Sequence, residues 1–303
     1  MRPLIPALAL LALGSSAMAG PKPPASAMFE PEIGYTYASG NYMDLRLANR
    51  AGDKAILVHR TGFGKLRSFD LSDEASKRIV YIDDTTLFVR TWSIINGAVA
   101  IGGPDPIFAG PGLPEIPDFS PDGSKIAFSV LSPTEPGIRI YDFNAPAAGT
   151  PLLLTGWNAF TVRWHPDGQR IYFSGYQSGM TSSKRLFLWD PQTGSVDRIS
   201  NAENVGFGFD VGRSNFFSPS EIIALDVPPR VDIFNAAGGL LGNFRNRSLA
   251  HFHCSGNALI ARNDATRRRS VFIFYLFGAA PDETWSADSN IHHTDWMRRV
   301  PCV

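Results

Sequence analysis

Short runs of alternating apolar and polar residues fill this chain, with Gly, Pro, Asn and Asp between them. Tyr42-Met43-Asp44-Leu45-Arg46-Leu47-Ala48 alternates along its whole length, as a strand with one buried face does. Ile138-Arg139-Ile140-Tyr141-Asp142 and Leu186-Phe187-Leu188-Trp189-Asp190 read as further strands, each ending in Asp. The pattern predicts an all-β chain.

Two stretches are near copies of one another. Phe119-Ser120-Pro121-Asp122-Gly123-Ser124-Lys125-Ile126-Ala127-Phe128-Ser129 recurs as Trp164-His165-Pro166-Asp167-Gly168-Gln169-Arg170-Ile171-Tyr172-Phe173-Ser174, 45 residues later. Each copy reads strand, tight turn, strand. The aromatic closes the first strand. Pro presets φ, Asp supplies a side-chain acceptor, and Gly allows the turn's unusual φ. A unit of this length suits a four-stranded propeller blade. Weaker copies are marked by Leu71, Phe209, His253 and Trp296. Spacings from Leu71 through Phe119, Trp164, Phe209 and His253 to Trp296 are 48, 45, 45, 44 and 43 residues. The marks predict a six-bladed β-propeller over residues 32–303.

The last mark is too close to the end of the sequence for a whole blade. Ile33 to Tyr37, Tyr42 to Ala48 and Ala55 to His59 read as three strands that lack a first partner. The strand ending at Trp296 is expected to pair with them, so that N- and C-termini share one blade. Such closure removes unpaired strand edges.

The Phe119-Ser-Pro-Asp-Gly and Trp164-His-Pro-Asp-Gly units resemble the propeller repeat of the TolB family. Asp44-Leu45-Arg46-Leu47-Ala48-Asn49-Arg50-Ala51-Gly52 is similar to another stretch of that family. The resemblance covers residues 33 to 300 and the propeller alone, without the small α/β domain that precedes it in TolB. It implies fold rather than a particular activity.

The first 19 residues have the layout of a secretory signal. Arg2 gives a positive start, Leu4 to Leu13 an apolar run too short to span a bilayer, and Ala17-Met18-Ala19 a small-x-small cleavage site. Residues 20–31, rich in Pro and Ala, read as a flexible leader. No other run reads as a membrane span. The expected location is the periplasm or the exterior. The 28 basic and 28 acidic side chains balance, which argues against a general affinity for nucleic acid. Arg267-Arg268-Arg269 reads as a solvated loop. The two cysteines, Cys254 and Cys302, fall at the same end of neighbouring blades in the repeat register. A disulfide and two separate buried thiols are both open readings.

Enzyme signatures are sparse. The chain after residue 19 lacks a Gly-x-Ser-x-Gly elbow, a phosphate loop, a dinucleotide fingerprint and His-Glu-x-x-His. His251, His253, His292 and His293 form the most suggestive cluster. His251 and His253 alternate along one strand, and His292 and His293 belong to the next blade. With Asp288 and Asp295 they would make a shell for one divalent transition metal. Structural hydrogen bonding is the competing role for these imidazoles.

The loops between blades offer a second candidate. Gly102 to Pro117, Gly156-Trp157-Asn158, Asn201 to Gly208 and Asn243 to Ser248 surround the channel mouth in this register. Trp157, Asn158, Asn204, Phe244, Arg245, Asn246 and Arg247 are the candidate ligand-binding groups. The expectation is a monomeric, exported binding or scaffold module of the cell envelope, without a cofactor. Its partner would be an envelope protein, peptide or glycan. The alternative is a metal-dependent propeller lyase or hydrolase acting on a cell-envelope or acidic polysaccharide.

Overall fold

The alternating runs become 25 strands among the described residues. The structure, a computed structural model, describes residues 31–49, 53–72, 75–180 and 184–199, and beyond them the strands between 209 and 296 with Gly239. For much of that last part it describes only the backbone. Among the described residues no helix is long and apolar enough to cross a membrane.

Strands β1 (Ile33–Ser39), β2 (Tyr42–Ala48) and β3 (Ala55–Gly62) come first. They are followed by β4 (Leu66–Leu71), β5 (Arg78–Asp83), β6 (Thr86–Ile95), β7 (Ala98–Ile101) and β8 (Asp105–Phe108). The next antiparallel sheet holds β9 (Leu113–Phe119), β10 (Lys125–Leu131), β11 (Gly137–Asp142) and β12 (Leu152–Thr155). Its near copy holds β13 (Trp157–Trp164), β14 (Ile171–Gln177), β15 (Arg185–Trp189) and β16 (Val196–Arg198). Then come β17 (Phe209–Arg213), β18 (Glu221–Val227), β19 (Arg230–Asn235) and β20 (Leu240–Arg245). The last full sheet is β21 (Arg247–Phe252), β22 (Ala258–Asn263), β23 (Ser270–Tyr275) and β24 (Glu283–Trp285), before β25 (Ile291–Trp296). β25 pairs with β1, aligning Trp296 with Ile33, so one sheet runs β25-β1-β2-β3.

The expectation of a six-bladed β-propeller is corrected: five sheets have the four-stranded blade form among the described residues. The sheet starting at β4 has five strands. Its third strand, β6, is 10 residues long, and two strands share its outer edge. The first half pairs with β8 (Leu87 opposite Phe108) and the second half with β7 (Trp92 opposite Ile101). Asn96 and Gly97 join β6 to β7, with φ of 52° and 78°. Left-handed φ at both turn positions marks a two-residue hairpin that follows strand twist. Part of the stretch read as a loop, Gly102 to Pro117, is thus β8 and the start of β9.

The innermost strands β4, β9, β13, β17 and β21 lie each against the next, and β25 closes the ring against β4. Apolar side chains fill the spaces between sheets. Ile126, Phe128 and Val130 pack toward Val80, Ile82 and Leu87, whereas Ala127 packs the other way with Val162, Ile171 and Trp189. Both faces of a middle strand are therefore buried, which explains near-continuous apolar runs there.

Between innermost strands the link is polar. A buried carboxylate oxygen accepts the backbone N–H of the last residue of the next innermost strand. Phe119 N donates to Asp70 at 2.6 Å, Trp164 N to Asp118 at 2.6 Å and Phe252 N to Asp210 at 2.6 Å. Arg163 stands between the last two acceptors, 3.8 Å from Asp118 and 3.3 Å from Asp210. Each such bond satisfies an N–H that the sheet ladder leaves unpaired.

The repeated turns have the expected geometry. Gly123 and Gly168 sit at φ 67° and 71°, and their N–H groups donate to Ser120 O and His165 O. Asp122 accepts from Ser124 N, and Asp167 from Gln169 N and Arg170 N. Valine at either glycine should cost about 1–3 kcal/mol by backbone strain. Asp118→Ala should cost about 3 kcal/mol or more, because it orphans the Trp164 N–H and removes one carboxylate from Arg163. Urea unfolding checks both. Losses under about 0.5 kcal/mol would show that neither the turn nor the carboxylate link matters for stability.

Candidate binding face

Innermost strands begin at one face of the ring, called upper here, and end at the other. The upper ends of three consecutive strands bring together groups far apart in sequence. Arg67, early in β4, donates from Nη2 to Oε1 of Glu115 near the start of β9. Phe160 stands in β13 with its ring 5.8 Å from that of Tyr176. The Lys184 ammonium lies 3.9 Å from the centre of the Phe160 ring, a cation–π contact. Burial pushes the Glu115 carboxyl above the usual range, opposed by Arg67 and Lys184. Burial likewise pushes Lys184 down, opposed by Glu115. These charges are partly desolvated, so their electrostatics are stronger than those of free surface groups.

A second cluster lies at the same face on the sheet containing β1–β3. Asp44 has no exposed side-chain area, yet it carries a charge. Arg60 grips it with Nε to Oδ1 at 2.6 Å and Nη2 to Oδ2 at 2.9 Å. Arg46 adds Nη2 to Oδ2 at 2.8 Å and Nε to Oδ2 at 3.2 Å. The Arg60 hydrogen bonds, with Arg46 after them, hold Asp44 below the usual carboxylate range despite its burial. The guanidiniums also lie over tyrosines, Arg46 at 4.9 Å from Tyr37 and Arg60 at 5.7 Å from Tyr42.

The structure distributes the sequence candidates unevenly. Asn158 reaches this upper face and donates to Ser178 Oγ at 3.2 Å. Trp157 turns into the sheet packing, its ring 5.3 Å from Phe173 and 4.8 Å from Phe187. Phe244 and Arg245 lie on β20 and Arg247 on β21, so these positions are strand rather than loop. Their side chains, and all of Asn204 and Asn246, lie outside the described residues. His251 falls on β21, opposite Ile260, and His293 on β25, opposite Thr36. β21 and β25 are neighbouring innermost strands, and His292 shares β25. The imidazoles themselves lie outside the described residues, as do His253, Asp288, Cys254 and Cys302. Among the described residues no group of His, Cys, Asp and Glu is arranged to hold a metal.

Sequence reasoning missed Arg67, Glu115, Lys184 and the Asp44 cluster. Nothing in the chain couples Arg67 to Glu115, 48 residues apart. Asp44 did leave a trace, since it stands two residues from Arg46 on the same side of one strand. The lower face carries a cleft of about 370 Å³ lined by Lys125, Asp142, Leu153, Trp164, Gln169 and others. Its Lys125–Asp142 pair is loose, at 3.9 Å.

Comparison with solved structures matches this fold. The chain is similar to TolB from Acinetobacter baumannii, with a TM-score of 0.68 and 20% identity, over 90% of this chain and 68% of that one. It is also similar to a chain of a nidogen/laminin complex, with a TM-score of 0.60 and 12% identity, over 88% of this chain and 98% of that one. At these identities the likeness is one of fold, a TolB-like β-propeller. No family model matches the sequence, and no curated protein matches it.

Glu115 gives a signed test. Its raised pKa means that the folded state favours the protonated form. Stability is therefore lost as pH rises from the ordinary value of 4.5 through the folded value. The stability difference, Glu115→Gln minus unsubstituted, should grow with pH above 4.5. A difference that shrinks with pH in urea titrations would mean that the Arg67 pair outweighs burial.

Proposed function

We propose that this chain is an exported, periplasmic propeller that binds a protein partner across its upper face and acts as a scaffold in the cell envelope. One observation carries the reading. Arg67, Glu115, Phe160 and Lys184, from three consecutive sheets, converge at the upper ends of the innermost strands as partly desolvated charges beside an aromatic ring. Interfaces favour arginine and aromatic side chains, here Arg67 and Phe160. The signal-like first 19 residues support export, and the TolB-like fold supports an envelope role. The nidogen/laminin match adds a propeller-like chain found in a protein complex.

Site-specific photo-crosslinking in a Gram-negative host tests the proposal. The mature chain should fractionate with the periplasm. A crosslinker at Asn158 or Tyr176 should capture a discrete protein, whereas one at Gln192, beside the lower cleft, should not. Retention in the cytoplasm with Met1 intact would sink the export claim. Equal capture at both faces, or none at the upper one, would sink the binding claim.

A second reading rests on the juxtaposition of β21 with β25, which puts His251 on the strand next to that of His292 and His293. In it the chain is a metal-dependent enzyme on an envelope or acidic polysaccharide. Elemental analysis of the purified mature protein tests it. One transition metal per chain, lost on replacing His253, is expected; metal-free protein that takes up none on dialysis against zinc rules it out.

A further inference from the structure

The Asp44 cluster holds more charge than its own packing requires. Asp44 already has two bonds from Arg46, yet Arg60 adds a bidentate grip. Arg60 remains 49% exposed, and its bonds to Asp44 use Nε and Nη2, which leaves the Nη1 donors outside that grip. An incoming carboxylate can bind this edge without breaking an ion pair.

Large apolar surface lies beside that edge. Tyr42 is 54% exposed under Arg60 and Phe63 is 60% exposed. Phe63 N donates to Asn41 O at 2.8 Å, which fixes its loop against the Tyr42 end of β2. Lys65 and Asp84 border the loop with one charge of each sign, and the Asp84 N–H donates to Lys65 O. A fixed guanidinium edge beside two exposed rings has the composition of an interface hot spot.

We infer that Tyr42, Arg60 and Phe63 dock an acidic segment of a partner protein, with a carboxylate on the outward edge of Arg60 and an apolar side chain against Phe63 and Tyr42. The exposed Arg60 guanidinium selects a carboxylate, and the adjoining rings select a peptide that carries apolar side chains beside its carboxylates. The inference deepens the scaffold reading by naming the partner's chemistry. It stands on a sheet apart from the Arg67–Glu115 mouth.

The test uses the full mature chain and a fluorescent peptide of alternating Glu and Leu, compared with its Gln-for-Glu counterpart by anisotropy. The acidic peptide should bind about tenfold more tightly or better. Arg60→Glu should abolish that preference. Arg60→Lys, which keeps charge but not the planar fork, should keep part of it. Phe63→Ala should weaken binding several-fold, and Arg198→Ala, on β16, should change nothing. Phe63→Ala and Tyr42→Ala disturb no ion pair, so they carry the test if Arg60→Glu fails to fold. Equal affinity for both peptides, unchanged binding in a folded Arg60→Glu, or undiminished binding in both aromatic variants would overturn the inference. Binding of oligogalacturonate in place of the acidic peptide would also overturn it, in favour of a glycan. Failure here with upper-face crosslinks intact at Asn158 would reject this patch alone.

Discussion

A carboxylate buried on one innermost strand takes the backbone N–H of the next, and the ring depends on this bond. Asp70 holds Phe119, Asp118 holds Trp164 and Asp210 holds Phe252, each at 2.6 Å. Apolar packing between sheets is strong but non-directional. It would tolerate sheets sliding or rotating past one another. A buried charged acceptor tolerates neither, because a displaced carboxylate loses its donor in a dry interior. At the position before Trp164 an arginine takes the place that Asp70 and Asp118 hold before Leu71 and Phe119. It spans the two carboxylates on either side, so the polar chain continues with its sign reversed.

That link sets the register of the upper face. Once Asp118 fixes β13 against β9, the upper ends of the same strands are fixed too. Glu115 stands three residues before Asp118, and Phe160 four residues before Trp164. Arg67 stands three residues before Asp70. The buried links thus share short strands with Arg67, Glu115 and Phe160, and position them. The Asp44 cluster repeats the principle within one sheet, where a fully buried carboxylate orients guanidiniums whose outer edges meet solvent.

The five-stranded sheet shows how far the architecture stretches. Lengthening β6 to 10 residues gives its outer edge room for both β7 and β8, while the inner strand β4 keeps its place in the ring. The added strands are packed from both sides, β7 against the β1–β3 sheet through Val99 and Ile101, and β8 against the β9–β12 sheet through Phe108.

By itself the sequence determined the strand pattern, the 45-residue unit and the conformation of its turns. These are local properties: period-two alternation buries one face, and Pro-Asp-Gly admits few backbone paths. It also implied that the strand ending at Trp296 must find partners at the chain start. Blade regularity was not legible, because the Asn96-Gly97 hairpin and β8 lie inside a unit whose repeat marks stayed evenly spaced. Trp157 looked like a surface group by its loop position, yet its ring lies against Phe173 and Phe187. Arg67, Glu115 and Lys184 carry no shared motif, and only the packing of three sheets brings them together. Tertiary structure decided which groups meet at the upper face because pairing across sheets depends on ring closure, a constraint that no local stretch of sequence encodes.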